Sequence, residues 1–155
     1  MKFICDEMLG TLAKWLRIMG YDTEYAKNMD DGEIVARAER EGRAILTRDK
    51  MLAKRAANSL YMGERTLEEQ IERVVEHFAL EIDEERLLSR CTICNVEVEK
   101  VEKSEVREKV PEHVWQSHDE FWRCPKCGRI YWMGSHWDNM KDMLEKIKNH
   151  HNLPL

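Results

Sequence analysis

The sequence predicts an α/β fold, in which a parallel sheet is flanked by helices and followed by a small second module. Two observations carry this prediction. Over the first 80 or so residues, short apolar runs alternate with stretches of helical periodicity, a pattern typical of βαβ units. After a charged stretch at 81–90, short alternating runs and paired cysteines replace that pattern. We therefore expect one domain over residues 1–85 and a second module over residues 86–155.

The elements of the first domain follow from apolar periodicity and from the residues that end each run. Short apolar runs predict strands at 2–5, 23–26, 43–47 and 59–62. Helical spacing predicts helices over 9–19, 31–41, 51–56 and 66–78. Gly20 and Gly42 end the first two helices, and Thr66 with Glu69 forms a capping box at the start of the last one.

The second module has a different pattern. Val96, Val98 and Val101 alternate with polar residues, Pro111 interrupts the chain, and a second short run follows at 130–132. The stretch 138–149 has apolar residues at helical spacing, which predicts a terminal amphipathic helix.

The charge of the chain limits the kinds of partner that it can attract. The formal net charge is −5, which argues against a strongly basic nucleic-acid binder. The first 89 residues carry the whole of that surplus, and the remaining residues are balanced. Any contact with nucleic acid must therefore come from local basic patches.

Nothing in the sequence predicts export or membrane insertion. Asp6 and Glu7 interrupt the only stretch where a signal peptide would need apolar residues. No run approaches the roughly 18 apolar residues that a membrane-spanning helix requires. We therefore expect no membrane partner and a cytoplasmic location.

Four of the five cysteines form two CxxC pairs, Cys91 with Cys94 and Cys124 with Cys127. In a reducing compartment this arrangement favours a metal over disulfides. Asn95 and Gly128 follow the pairs, and both residue types tolerate the positive φ that such turns require. Four sulfurs close a tetrahedral sphere, so we expect one structural zinc ion. The alternatives, unrelated cysteines or a redox CxxC, explain a matched pair of turns less well.

Three aspartates occupy comparable places in the first domain. Asp6 and Asp49 follow predicted strands, and Asp31 opens a predicted helix. Because the carboxyl ends of parallel strands form one crevice, these side chains are candidates for a Mg²⁺ or Mn²⁺ site. The alternative is that each aspartate caps a helix, a role in which Asp is common. Lys14, Arg17 and Arg48 lie nearby and are candidates for holding phosphate, with a solvated helix face as the alternative.

The whole chain resembles the Mut-seven C-terminal RNase domain family, a PIN-like nuclease domain followed by a zinc ribbon. The matching segments are 3–20 (FICDEMLGTLAKWLRIMG), 31–38, 43–49 (RAILTRD), 91–95 and 121–137 (FWRCPKCGRIYWMGSHW). The resemblance implies a metal-dependent ribonuclease, in which Asp6, Asp31 and Asp49 hold the Mg²⁺ or Mn²⁺ that activates water against RNA. Four acidic residues are usual in PIN domains, and the sequence leaves the fourth unplaced.

The same resemblance implies that the zinc ribbon orients RNA near the aspartates. The candidate RNA contacts in that half of the chain are Arg123, Lys126, Arg129, His136 and Trp137. For His136 and Trp137, packing of the ribbon against the first domain is the alternative. A non-catalytic RNA-binding or adaptor protein is the runner-up function. A phosphatase with Asp6 as nucleophile is disfavoured because Met8 stands where such enzymes typically have a second aspartate.

Overall fold

The computed structural model describes residues 1–152, and the last three positions of the predicted second module lie outside the described residues. The first domain contains four strands and four helices, which confirms the α/β prediction. The strands are β1 (Lys2–Asp6), β2 (Asp22–Ala26), β3 (Ala44–Thr47) and β4 (Ser59–Tyr61). The helices are α1 (Gly10–Ile18), α2 (Asp31–Glu41), α3 (Lys50–Arg55) and α4 (Leu67–Phe78).

The four strands form one parallel sheet in the order β2-β1-β3-β4. In this register Lys2 pairs with Asp22 and Asp6 pairs with Ala26. The carboxyl ends of β1 and β3 are therefore neighbours at the centre of one edge of the sheet. This edge is called the carboxyl edge below.

The helices cover both faces of the sheet. On one face, side chains of α1 and α4 such as Leu12, Leu16 and Val74 pack on alternate residues of the strands, including Phe3 and Leu46. On the other face, a smaller cluster joins α2 and α3 to the remaining strand residues: Ile4, Ala26, Ile34, Ala38, Ile45 and Leu52. Successive side chains of a strand point to opposite faces of the sheet, so each buried strand contributes residues to both clusters.

Gly20 makes a close approach possible between α1 and the segment that follows the first domain. Its φ is +92°, and a Cβ at this position would lie 2.6 Å from the carbonyl oxygen of Arg86. Only glycine satisfies both the left-handed backbone and this contact. The residue that the sequence marks as a helix stop therefore also lets the chain between the two modules pass close to α1.

The second module is built on an antiparallel sheet of three strands, in the order β5-β6-β7. The strands are β5 (Glu99–Val101), β6 (Phe121–Arg123) and β7 (Ile130–Tyr131), and the short helix α5 (Glu112–Ser117) lies between β5 and β6. Val106, Val110, Val114 and Phe121 form its own small core. Neither α5 nor β6 was expected, and Val96 and Val98 precede the strand that we expected them to begin.

The last helix, α6 (Ser135–Asn152), returns to the first domain. Its apolar residues belong to the same buried cluster as α1 and α4: Trp137, Met140, Leu144 and Ile147. We expected this helix to begin near residue 138 and to belong to the second module. Its apolar side chains pack in the core of the first domain, and the division of the chain at residue 85 stays a prediction. Within residues 1–152, every helix is either too short or too polar to cross a lipid bilayer.

Candidate functional site

The four predicted zinc ligands converge on one point. The Sγ atoms of Cys91, Cys94, Cys124 and Cys127 all lie within 4.8 Å of one another. The Sγ atoms of Cys91 and Cys127 are 3.8 Å apart. A tetrahedral zinc ion with Zn–S bonds of about 2.3 Å requires sulfurs about 3.8 Å apart. The spacing therefore fits zinc, and both turns use the positive φ expected at Asn95 (64°) and Gly128 (80°).

Hydrogen bonds to Cys91 favour its thiolate, whereas the surroundings of Cys94 oppose ionisation. Burial raises the pKa of the Cys91 thiol, but the Tyr131 hydroxyl and the backbone amides of Cys94 and Ile93 donate to its sulfur and bring the pKa to about 6. Tyr131 Oη lies 3.1 Å from Cys91 Sγ. Burial and the nearby sulfurs of Cys127 and Cys124 raise the pKa of Cys94 to about 12. Four thiolates this close need a cation, and zinc supplies that charge.

The first CxxC turn is fastened to the first domain through Arg17. This side chain is only 9% exposed. Its Nε donates to the carbonyl of Thr23 at 2.8 Å, and its Nη1 donates to the carbonyls of Thr92 and Ile93 at 2.9 and 3.2 Å. Arg17 therefore joins α1, β2 and the cysteine turn, and its predicted contact with RNA stays a prediction.

Asn95 provides a second connection between the modules. Its Oδ1 accepts from the backbone amide of Thr23 at 2.9 Å, and its Nδ2 donates to Asp22 Oδ1 at 2.6 Å. Arg43 donates to the same Asp22 oxygen at 2.8 Å. Partial burial raises the pKa of Asp22, but these two donors and the charge of Arg43 lower it by more. The pKa of Asp22 therefore lies below its usual value.

These contacts lie at the opposite end of the sheet from the predicted catalytic aspartates. Asp22 and Thr23 begin β2, whereas Asp6 ends β1 beside the end of β2. Four residue steps along a strand separate the two edges, about 13 Å. We expected the ribbon to lie near the aspartates. The structure attaches its first cysteine turn at the amino end of β2 instead.

At the carboxyl edge, Asp6 is tied to the end of the neighbouring strand. Its Oδ2 accepts from the Thr47 hydroxyl and from the backbone amide of Arg48, the latter at 2.8 Å. Its Oδ1 accepts from the amide of Met8 at 3.0 Å. These bonds hold the end of β1 against the residue that precedes Asp49. The strands that precede these two aspartates, β1 and β3, are neighbours in the sheet.

Asp49 caps α3, as the alternative interpretation expected. Its Oδ1 accepts from the amides of Met51 and Leu52, at 2.8 and 3.4 Å. A carboxylate oxygen offers about two lone pairs, so these bonds leave Asp49 Oδ2 and one lone pair of Asp6 Oδ1 unused. The capping bonds and a bound cation can therefore coexist on the same two side chains. Both carboxylates can supply oxygen ligands of the kind that Mg²⁺ and Mn²⁺ prefer.

The two neighbouring aspartates of α2 have different roles. Asp30 caps the helix, since its Oδ1 accepts from the amide of Glu33 at 2.9 Å. Asp31 lies in the first helical turn, and its carboxylate has no hydrogen bond or ion pair with any residue in 1–152. This difference leaves Asp31 as the free carboxylate of the pair. Among residues 1–152, the four cysteines are the only group of three or more ligand side chains already close enough to share an ion.

Glu64 is a carboxylate that the sequence did not single out. It follows β4, which lies next to β3 in the sheet, and its backbone carbonyl accepts from Arg48 Nη1 at 2.9 Å. Its Oε2 is buried and has no hydrogen-bond partner. Its Oε1 lies 3.4 Å from Arg73 Nε. The sequence signal that could have identified Glu64 is its position just after the fourth predicted strand, comparable to the positions of Asp6 and Asp49.

The candidate RNA contacts fall into two groups. Lys14, Arg129, His136 and Trp137 line one groove between α1, β7 and α6. Trp137 is only 6% exposed, so it packs the helices together as its alternative interpretation expected. The remaining candidates do not line that groove: Arg17, which joins the two modules, Arg48, which donates to the Glu64 carbonyl, and Arg123 and Lys126, which lie near Cys124 in the sequence.

Comparison with known proteins shows the family to which the sequence is similar. Residues 1–144 match the sequence model described as the Mut7-C RNAse domain. The chain is also 33% identical over 101 residues to the human protein named "Exonuclease mut-7 homolog". That alignment covers 61% of this chain and 12% of the human protein. No solved structure matches the chain significantly.

Proposed function

Because the chain belongs to the Mut7-C RNAse domain family, we propose that it is a metal-dependent ribonuclease that hydrolyses phosphodiester bonds of RNA. One observation carries the proposal to particular residues. Asp6 is bonded to the backbone amide that precedes Asp49, so two carboxylates with unused lone pairs share one edge of the sheet. We propose Asp31 as the third carboxylate, because its neighbour Asp30 serves as the helix cap.

Each residue would contribute in a different way. Asp6, Asp31 and Asp49 would hold Mg²⁺ or Mn²⁺, which supplies positive charge for the phosphorane-like transition state and lowers the pKa of water. Arg48 extends from the same edge and would contact a phosphate oxygen through its guanidinium. The zinc would fold the second module, since four sulfurs leave no position for substrate.

Substitution by asparagine separates the metal role from the capping role at Asp49, where only Oδ1 accepts hydrogen bonds. At Asp6 both oxygens accept, so Asp6→Asn also removes one set of structural bonds, and its folding is checked by circular dichroism. Asn is as good a helix cap as Asp, but it removes the charge that a divalent cation requires. We expect Asp6→Asn, Asp31→Asn and Asp49→Asn each to slow Mn²⁺-dependent cleavage of single-stranded RNA by roughly 100-fold. Asp30→Asn is the matched control, because it removes the same charge one residue away and keeps the cap. If Asp6→Asn and Asp49→Asn cleave as fast as the parent, the mechanism is wrong.

A non-catalytic RNA-binding or adaptor protein is the second candidate. The observation in its favour is that both Asp6 and Asp49 already serve as caps, a sufficient structural reason for their presence. This function predicts salt-dependent binding of RNA without cleavage by any divalent cation. Product analysis on RNA labelled separately at each end distinguishes the two candidates, and it also shows whether cleavage begins internally or at an end.

A further inference from the structure

The groove between α1, β7 and α6 has the composition of a site for single-stranded nucleic acid. It holds about 230 Å³ and is open to solvent along one side. Three of its residues have basic side chains: Lys14 on α1, Arg129 before β7 and His136 on α6. Aromatic and apolar residues form the rest of its walls, among them Ile18, Tyr131 and Trp132.

The charge of this groove contrasts with the rest of the protein. The chain has 30 acidic residues and a net charge of −5, but no carboxylate lines the groove. Within residues 1–152, the side chains of Lys14, Arg129 and His136 form no hydrogen bond or ion pair with another residue. Basic side chains without protein partners, in a groove whose lining contains no carboxylate, favour an anionic ligand.

The aromatic residues point to a ligand that also has flat faces. Trp132 is partly exposed and directly follows β7, and its ring is tilted against that of Phe121 at a centroid distance of 6.5 Å. A Cβ on Gly134 would lie 3.1 Å from Trp132 Nε1, so glycine at this position leaves room for the indole. Tyr131 is fixed by its bond to Cys91 Sγ. Rigid aromatic side chains beside cations are the usual elements of single-strand binding.

We propose that this groove binds a single-stranded segment of RNA, with Lys14 and Arg129 on phosphates and Trp132 stacked on a base. The inference rests on the proposed function for the identity of the polymer. It differs from the expectation drawn from the sequence, because Trp132 replaces the buried Trp137 as the stacking residue. The groove lies along the flank of α1, away from the carboxyl edge, so it holds RNA beyond the bond that is cut.

Binding is measured without added Mg²⁺ or Mn²⁺, so that it does not depend on cleavage. The probe is a fluorescent 12-nucleotide oligouridine, and its Kd is followed by anisotropy across a series of salt concentrations. The test variant is Lys14→Ala with Arg129→Ala, since both side chains are exposed and their loss leaves the core intact. The control is Arg40→Ala with Lys54→Ala, which removes the same charges from α2 and α3 on the other face of the sheet.

Each phosphate contact on a single strand contributes about 0.7 to the slope of log Kd against log salt concentration. The groove variant is expected to reduce that slope by about 1.4 and to weaken binding roughly tenfold, whereas the control keeps the slope of the parent. Trp132→Phe should retain most of the binding and Trp132→Ala should weaken it, with near-UV circular dichroism establishing that both are folded.

The outcomes separate this inference from the proposed function. If the groove variant binds with the slope and Kd of the parent, the groove assignment is overturned, whether or not the parent cleaves RNA. If the parent never cleaves RNA but the groove variant loses binding, the groove stands and the nuclease proposal fails. Equal or tighter binding of a 12-base-pair RNA duplex overturns the assignment to single strands.

Discussion

The cysteine cluster and the carboxyl edge are both candidate metal centres, and they are assembled by different means. The four sulfurs already converge within 4.8 Å. Each CxxC turn brings its own pair of sulfurs together, and the fold of the second module brings the two turns to one point. The aspartates come from three separate elements, and within residues 1–152 they do not form a group already close enough to share one ion. Only the ends of β1 and β3, which carry Asp6 and precede Asp49, are adjacent through strand order. The first kind of centre depends on local turn geometry, and the second depends on topology. The carboxylate oxygens of Asp6 and Asp49 also accept hydrogen bonds from backbone amides of the helices that follow them.

The largest effect on folding is expected from a substitution that breaks the cysteine cluster. We expect Cys124→Ser to lose zinc and to unfold the antiparallel sheet of the second module, because structural zinc in small modules contributes apparent free energies of about 10–16 kcal/mol. Zinc content by mass spectrometry and amide exchange over β5, β6 and β7 measure this. Cys5→Ala is the control, since Cys5 is buried in β1 away from the cluster. A serine variant that kept one zinc per chain would contradict the assignment.

A smaller effect is expected at the connection between the two regions. Arg17→Ala removes three hydrogen bonds to carbonyls of β2 and the first cysteine turn. We expect the free energy of unfolding to fall by about 3 kcal/mol, because buried carbonyls lose a charged donor. Denaturant unfolding measures the change. Lys14→Ala, one turn earlier on α1, is exposed and should change stability by less than about 0.5 kcal/mol. A similar small change for Arg17→Ala would show that the connection does not depend on this side chain.

The smallest effect depends on pH. Donation by Arg43 and Asn95 keeps the pKa of Asp22 below its usual 3.8, so ionised Asp22 stabilises the folded state above that pH. We expect Asp22→Asn to cost about 1 kcal/mol at pH 7. The difference between parent and variant should shrink as the pH falls below about 3.8, because the parent then becomes protonated. Urea unfolding of both proteins at each pH measures it. A difference that stayed constant down to pH 2.5 would exclude this charge contribution.

The sequence was sufficient wherever structure depends on local pattern. Strands and helices of the first domain follow from apolar periodicity and from glycine or Asp caps. The zinc ligands follow from spacing. Contacts between segments that are distant in the sequence could not be predicted from local patterns. Arg17 looks like an exposed helix residue until the cysteine turn covers it, and Trp137 looks like an RNA contact until α6 packs against α1 and α4.

The carboxyl edge lies between these two cases. The positions of Asp6 and Asp49 just after strands were visible, and the adjacency of β1 and β3 brings them together. The sequence offered both metal binding and helix capping for these residues. The structure contains the caps, and it leaves unused lone pairs on the same carboxylates. Glu64 was missed because the sequence does not say that β4 lies next to β3.

A crystal of the zinc-loaded protein grown with Mn²⁺ tests most directly whether the two regions are separate metal centres. Anomalous differences collected at the manganese and zinc edges identify each ion. We predict zinc at the four sulfurs and manganese between Asp6 and Asp49, with the manganese absent from crystals of Asp49→Asn and the zinc retained. Zinc alone, with Asp6 and Asp49 bonded only to neighbouring protein groups at saturating Mn²⁺, would contradict the account and leave the aspartates as helix caps.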